Sequence, residues 1–573
     1  MKPMIKLTDA YKTVRDDQDK VLAPEETLRR FHEKLKTVRL DILKRTVRID
    51  SGRIGIPVFF SQCGVDAASV MGTRKQMGKG ATPAQAEASA VMELAERFSF
   101  YTFNQNPENF RTGTYREMGK NALPFSFIAQ SVHDDSKDLK AAQTIFETLP
   151  MRWTWATNLT TQKPVLIPFD WFFAINEFNG TSAGNCPEEA ICQGICEVVE
   201  RHVSSIVSRF NKVTPAIQPE SSSDPLAREM IDKYTRNGIR LFLSDFTLNM
   251  GIPTVAILSY DPENFPQKSE IVWTAGTCPS PEKALSRALS ETAQLAGDFN
   301  TGSNYVASGL PKFDSLVKAD FITSIAPDTR IQDLPDLSHD NIRIEVERLV
   351  SALGNQNMEV FVVDTRHPEL DIPAYYTIIP GAHFRERAMG KGVAMFTAKL
   401  AAENLPAQRA LERLKEMDTL LPEKYFVRFY MGSARLELND PEGALKDYAA
   451  ALALNPNLED AAGIHSYMGI CLKEMARYKE AIDVLEKGEA LDAERTDIPN
   501  LMGFCHYKLK NHRQAIACFE KVLALDPSSA IDYANIASNY RDMGDTEMAI
   551  AYYQKALNID PGIDFSRENI LKL

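Results

Sequence analysis

Apolar and small residues recur at helical spacing over 83–104, 187–210, 281–297 and 341–354, which predicts a long amphipathic helix in each stretch. Between them run short segments rich in β-branched and aromatic residues, bounded by Gly, Pro, Asn or Asp. TVRIDSGRIGIPVFF, PVLIPFDWFF, IRLFLSDF, IPTVAILSYD, MEVFVVDT and IPAYYTIIP predict strands on that pattern. Their order is irregular, so residues 1–385 predict a large α/β (α+β) domain rather than a doubly wound sheet. HDDSKDLK, residues 133–140, is charged and has little to bury, which predicts a mobile surface loop.

From about Lys424 the strand pattern stops and a repeat takes over. Gly432, Gly469, Gly503 and Ala537 follow one another at spacings of 37, 34 and 34. Each is followed twelve residues later by Ala444, Ala481, Ala515 or Ala549. Pro456, Pro527 and Pro561 come twelve residues after that, with Ala493 in the second unit. Small residues suit the close crossing of two helices in a hairpin, and Pro ends each hairpin. Residues 424–573 thus resemble an all-α tetratricopeptide-repeat solenoid of four units, with 386–423 as a helical linker. Such solenoids bind peptides or proteins on a concave face. A rigid extension or a dimerisation element is the other reading of the same helices.

Three of the predicted helices share a polar stripe. Ser89, Glu93 and Glu96 occupy i, i+4 and i+7 of the first, Gln193, Glu197 and Glu200 of the second, and Arg287, Glu291 and Gln294 of the third. Arg97 and Arg201 each follow the last Glu of their stripe. Those spacings fall on one narrow face of a helix. Two readings are open: three solvated faces with local ion pairs, or three faces converging on one cleft. In the second case Glu93, Glu96, Glu197, Glu200 and Glu291 would repel and raise one another's pKa. Mg²⁺, which prefers oxygen ligands and pairs with phosphates, would relieve the repulsion, and Arg287, with Arg97 or Arg201, would meet phosphate. No Walker A sequence is present. GKGAT, with Gly78, Lys79 and Gly80, is either a turn before a helix or a loop packed on a nucleotide.

The 573 residues carry a formal net charge of -12, which disfavours sequence-independent nucleic-acid binding. Eight cysteines without a CxxC pair predict reduced thiols, with Cys192 and Cys196 a weak zinc alternative. No secretory signal and no run of about 20 apolar residues is evident, so the expected place is the cytoplasm and no membrane partner is expected.

MGKGATPAQAEASAVMELAERF, NGTSAGNCPEEAICQGICEVVERH and PEKALSRALSETAQ resemble the three signature helices of the YcaO family, and IPAYYTIIPG is similar to its closing strand. The resemblance covers about residues 20–385. It implies a non-Walker ATP and Mg²⁺ site that activates a backbone amide of a peptide or protein by O-phosphorylation. A neighbouring Cys, Ser or Thr then gives an azoline, and external sulfide gives a thioamide, often with a TfuA-like or other sulfur-donor partner. One branch consists of accessory factors for β-methylthiolation of a ribosomal protein. By position, the resemblance implies Glu93, Glu96, Glu197, Glu200 and Glu291 for Mg²⁺. It implies Ser89, Asn185, Gln193, Arg201, Arg287 and Gln294 around the nucleotide. Lys20 and Thr27, seven apart in DKVLAPEETLRRFHEKL, match a further Lys and hydroxyl, and Lys79 meets phosphate or shapes its loop. No covalent nucleophile is implied. His202 is a proton shuttle or a structural residue.

Two departures stand out. The repeats close on ENILKL rather than the Pro-x-Pro-x-Pro tail of many azoline-forming members, and no leader-peptide-binding domain is recognisable. The first counts against azoline formation without excluding it; the second favours a folded protein or complex as substrate, docked on the repeats, and a homodimer through the repeats stays open. Three functions compete: an ATP-dependent amide-modifying enzyme, a non-catalytic ATP-binding accessory factor, and a purely structural repeat protein.

Overall fold

The computed structural model describes residues 4–13, 20–50, 52–72, 75–267, 269–296, 299, 310, 313–384, 392–560 and 562–573. They form two compact units: Met1–Ser136 with Glu147–Val393, and Lys137–Phe146 with Ala394–Leu573.

The first unit holds three sheets, and each carries one of the striped helices. The helix Pro83–Gln105 starts at a capping box in which Thr82 accepts from Gln85 N and the Gln85 side chain accepts from the Thr82 N–H. It packs on the antiparallel sheet Leu43–Arg48, Val58–Cys63, Lys75–Lys79. The approach is close because Gly78 has no side chain: a Cβ there would lie 2.1 Å from the Ala90 nitrogen. The helix Pro187–Phe210 opens on Pro187, Glu188 and Glu189, which suit the positive end of the helix, and stops at Asn211 in the left-handed region. It lies on Ala374–Ile378 and Thr181–Ala183 of the six-stranded sheet. The helix Pro281–Ala296 lies on Val272–Thr277 and Thr254–Tyr260 of the five-stranded sheet, where Gly276 plays the part of Gly78.

All four predicted long helices are present. Two strand expectations need correction. TVRIDSGRIGIPVFF makes two strands, Leu43–Arg48 and Val58–Cys63, around a turn with Gly52 and Gly55 at positive φ. In PVLIPFDWFF the strand ends at Pro168, and Phe169–Asn176 is a helix. It buries Phe169, Trp171 and Phe172 together, and a helix apolar on every side has no period to read. Met151–Asn158, Val272–Thr277 and Lys75–Lys79 are strands that the pattern did not predict.

The second unit is helical. Four hairpins, Tyr425–Glu437 with Pro441–Ala453, Leu458–Glu474 with Tyr478–Leu491, Asp497–Lys508 with His512–Leu525, and Ala530–Met543 with Thr546–Ile559, follow the helices Val393–Asn404 and Ala407–Leu420. A Cβ at Gly432, Gly469 or Gly503 would collide with Tyr448, Leu485 or Phe519 of the facing helix, which is why those positions stay small. Pro561 lies outside the described residues, as do residue 385 and 386–391 of the linker.

The segment 133–140 is a loop running into the helix Leu139–Phe146. That helix belongs to the repeat unit: Arg413 donates to the Ile145 carbonyl at 2.9 Å, Lys424 pairs with Asp138, and Ala142, Ile145 and Phe146 are buried. Phe146→Ala is therefore expected to destabilise the repeats by about 3–5 kcal/mol. Hydrogen exchange in Ala407–Leu420 reads this; unchanged exchange there would detach the helix from that unit.

Candidate functional site

All fourteen residues that the resemblance assigns to metal or nucleotide line one cavity of about 670 Å³ in the first unit. The three stripes converge there, and the solvated-face reading is set aside. Lys79 arrives from the strand before the first helix, Lys20 and Thr27 from the N-terminal segment and the helix Pro24–Thr37.

The carboxylates do not simply face one another. Arg97 stands 3.9 Å from Glu93 and 3.5 Å from Glu96, and Arg201 stands 4.0 Å from Glu197 and 3.8 Å from Glu200. Lys79 pairs with Glu291. Thr181 donates to Glu96 at 2.7 Å, and the Thr277 N–H donates to Glu200 at 3.1 Å. Arg287 donates to Gln193 at 2.7 Å, while its Nε is buried without a partner. The described lining carries seven acidic and seven basic side chains. The carboxylates do raise one another's pKa, as expected, but the helices bring counter-charges of their own that oppose it.

Burial is the larger influence on titration. It pushes the Glu96 carboxyl up to about 8, with Arg97 opposing and Glu197 and Glu93 adding to the push. Glu93 and Glu197 are raised for the same first reason, against Arg97 and Arg201 respectively. Burial, then Arg287, brings the Lys79 ammonium down to about 7. These groups pay to be charged in the closed cavity, and ligands of opposite charge would restore their ionised forms.

A second cluster joins the N-terminal segment to the second helix. Glu189 accepts from the backbone and side chain of Asn185 at 3.2 and 3.1 Å and from Val21 N at 3.3 Å, with Lys20 Nζ at 3.6 Å. Thr27 donates to Asn185 at 3.1 Å. Glu189 and Glu345 are lining residues that sequence reasoning missed. Glu189 sits one turn before Gln193, so the stripe extends one step further back than was read. Glu345, paired with Lys12 at 2.6 Å, belongs to a helix without a stripe and gave no signal.

His202 does not line the cavity. Its Nδ1 accepts from the His383 N–H at 2.9 Å, and burial pushes it down to about 3, which favours the structural reading over the proton shuttle. The eight cysteines are free thiols. Among the described residues no three His, Cys, Asp or Glu side chains already stand in a metal-holding group. The donor set nevertheless fits Mg²⁺. Five carboxylates on three helices offer hard oxygen ligands, and the buried Nε of Arg287 is an unspent donor for an anion.

A family model described as YcaO cyclodehydratase, ATP- and Mg²⁺-binding, matches residues 77–383, and a tetratricopeptide-repeat model matches 494–561. An uncharacterised protein of Methanothermobacter thermautotrophicus is 28% identical over 389 residues, covering 62% of this chain and 93% of the relative. The Escherichia coli ribosomal protein S12 methylthiotransferase accessory factor YcaO is 27% identical over 243 residues, covering 39% of each chain. In fold, the chain is similar to a heterocyclase solved in complex with substrate and cofactor, with a TM-score of 0.53 and 23% identity. That likeness covers 67% of this chain and 55% of the heterocyclase. With residues 77–383 of 573 inside the family model, the chain belongs to the YcaO family, its YcaO domain binds ATP and Mg²⁺, and tetratricopeptide repeats follow it.

Proposed function

We propose that this protein uses ATP and Mg²⁺ to phosphorylate a backbone amide oxygen of a peptide or protein, leading to a thioamide or an azoline. The observation that carries this reading is the single cavity onto which all fourteen predicted residues converge. The amide oxygen attacks the γ-phosphorus, an O–P bond forms, and the bond to ADP breaks. A sulfide or a neighbouring side chain then attacks the amide carbon, and phosphate leaves with the former amide oxygen.

The chain's part is positioning and charge neutralisation. Glu93, Glu96, Glu197, Glu200 and Glu291 would hold the metal. Arg287, Arg201 and Lys79 would take the phosphates, with Ser89, Asn185, Gln193, Gln294, Lys20 and Thr27 around the rest of the nucleotide. Bound Mg²⁺ would supply charge for phosphoryl transfer. Arg97, over the Phe178 ring at 4.1 Å and bonded to Glu96, would keep the first stripe oriented. The enzyme would act in the cytoplasm, with the repeats docking a protein substrate or a TfuA-like sulfur donor.

The 27% identical E. coli relative supports a second reading, a non-catalytic ATP-binding accessory factor for ribosomal-protein methylthiolation. One experiment separates them. Candidate substrates are incubated with ATP, Mg²⁺ and sulfide, and ADP is counted against modified peptide by mass spectrometry. One ADP per modified amide is expected. Exchange of oxygen for sulfur identifies the thioamide, and loss of water identifies the azoline. Nucleotide binding without ADP formation on any substrate would leave the accessory role.

A further inference from the structure

Strand Lys75–Lys79 is the outer strand of its sheet, with Val58–Cys63 on one side only. The register fixes where its other edge points. Ile49 donates to the Val58 carbonyl at 2.9 Å, so Val58, Phe60 and Gln62 turn their backbone groups toward Leu43–Arg48. Bonded positions alternate in an antiparallel ladder, so Phe59 and Ser61 bond to Gly78 and Gln76. The N–H and C=O groups of Met77 and Lys79 therefore point out of the sheet. No turn, loop or other element supplies them a backbone partner among the described residues.

That outward edge looks into the site. Successive side chains of a strand turn to opposite faces. Gly78 turns to the first striped helix, and Met77 turns to the hydrophobic core on the other side. Gln76, Met77 and Lys79 nevertheless all line the cavity, which meets the strand edge-on. A second strand edge reaches the same cavity. Phe246 donates to the Thr254 carbonyl at 2.8 Å, so by the same alternation the Thr277 N–H points outward, and it is donated to Glu200 at 3.1 Å. One edge is capped by a carboxylate of the site, and the other is open beside it.

We infer that an extended segment of the substrate peptide adds to this open edge as a fourth strand, bonded to the backbone of Met77 and Lys79. The inference rests on the amide-activating reading and says how the amide is presented. Main-chain bonding holds a peptide with little regard to its side chains, which suits an enzyme whose target is the backbone. Carbonyls along a strand alternate in direction within the sheet. Those opposite Met77 and Lys79 are consumed by the edge. The intervening ones point into the cavity, where the phosphoryl group would be received. Modifiable amides within one docked segment are thus spaced two residues apart.

The test is hydrogen exchange on the full chain, resolved across Lys75–Gly80, with a pool of random decapeptides at millimolar concentration and a non-hydrolysable ATP analogue with Mg²⁺. The expected result is exchange slowed at least fivefold at the Met77 and Lys79 amides by peptide plus nucleotide, and not by nucleotide alone. The same pool with N-methyl groups at every residue, which blocks both edges of the peptide, should give no slowing. Protection by nucleotide alone would assign the edge to the nucleotide and overturn the inference, as would no protection while the analogue is bound. Failure of the analogue to bind at all would instead count against the nucleotide site itself. As a second arm, Met77→Pro removes one outward N–H at an edge position where Pro is tolerated. It should keep nucleotide affinity and lose the peptide-dependent slowing at Lys79; slowing equal to the unsubstituted protein's would overturn the inference.

Discussion

Glu197→Gln keeps the fold and weakens Mg²⁺-dependent ATP binding by roughly 100-fold. The substitution preserves shape and removes one charge from the middle of the second stripe. The folded protein already resists that charge, because burial raises the Glu197 pKa despite Arg201 at 4.0 Å. A neutral amide therefore costs the metal-free protein little, and thermal unfolding should move by no more than a few degrees. With metal and nucleotide the balance would reverse: in the proposed site the carboxylate is a ligand, and an amide oxygen is a poor substitute for it next to Glu93, Glu96 and Glu200. Calorimetric titration of ATP with and without Mg²⁺ reads the effect. Wild-type affinity in the variant would remove the second stripe from the metal site, and with it the main support for the proposed chemistry.

The stripes were legible because a charge repeated at i, i+4 and i+7 on an otherwise apolar helix is visible in one dimension. Their convergence was not. It depends on three sheets whose strands are weakly marked: Lys75–Lys79 reads KQMGK, a polar stretch that becomes a strand only because Val58–Cys63 pairs with it. Val272–Thr277 is buried along its whole length and has no alternation to read. Glu345 is a further case. It reaches the cavity from a helix whose pattern speaks only of its apolar side, and Lys12, which pairs with it, lies 333 residues away in sequence. Aromatic runs mislead in the other direction, as Phe169–Asn176 shows, since burial on every side suits a helix and a strand equally. In the repeats the sequence was more complete. Gly432, Gly469 and Gly503 recur at near-fixed spacing because each lies against a large side chain of the facing helix, Tyr448, Leu485 or Phe519.

Metal and nucleotide, added separately, should move protons in opposite directions at pH 7.5. Glu96 titrates near 8 and Lys79 near 7, so in the ligand-free protein a good part of Glu96 is protonated and most of Lys79 is neutral. If Glu96 holds Mg²⁺ as proposed, the metal requires its ionised carboxylate and should expel the Glu96 proton. In the proposed site ATP without metal would bring phosphate charge to Lys79, which should then take a proton up. Below Glu96's folded pKa, Mg²⁺ affinity should rise by up to about tenfold per pH unit for each proton released, and flatten above it. The stability of the ligand-free protein has a matching sign. Glu96, raised in the folded state, contributes fully below its unfolded value of 4.5, and that contribution is lost as pH rises toward 8. Lys79 acts oppositely: its folded pKa is depressed, so between about 7 and 10.5 its contribution grows with pH. Titration calorimetry in buffers of different ionisation enthalpy counts the protons directly. Release with Mg²⁺ and uptake with ATP alone would put both groups in contact with their ligands. Equal and zero proton counts in both titrations would mean that neither Glu96 nor Lys79 meets metal or phosphate, and the first stripe would then be a structural face of the cavity.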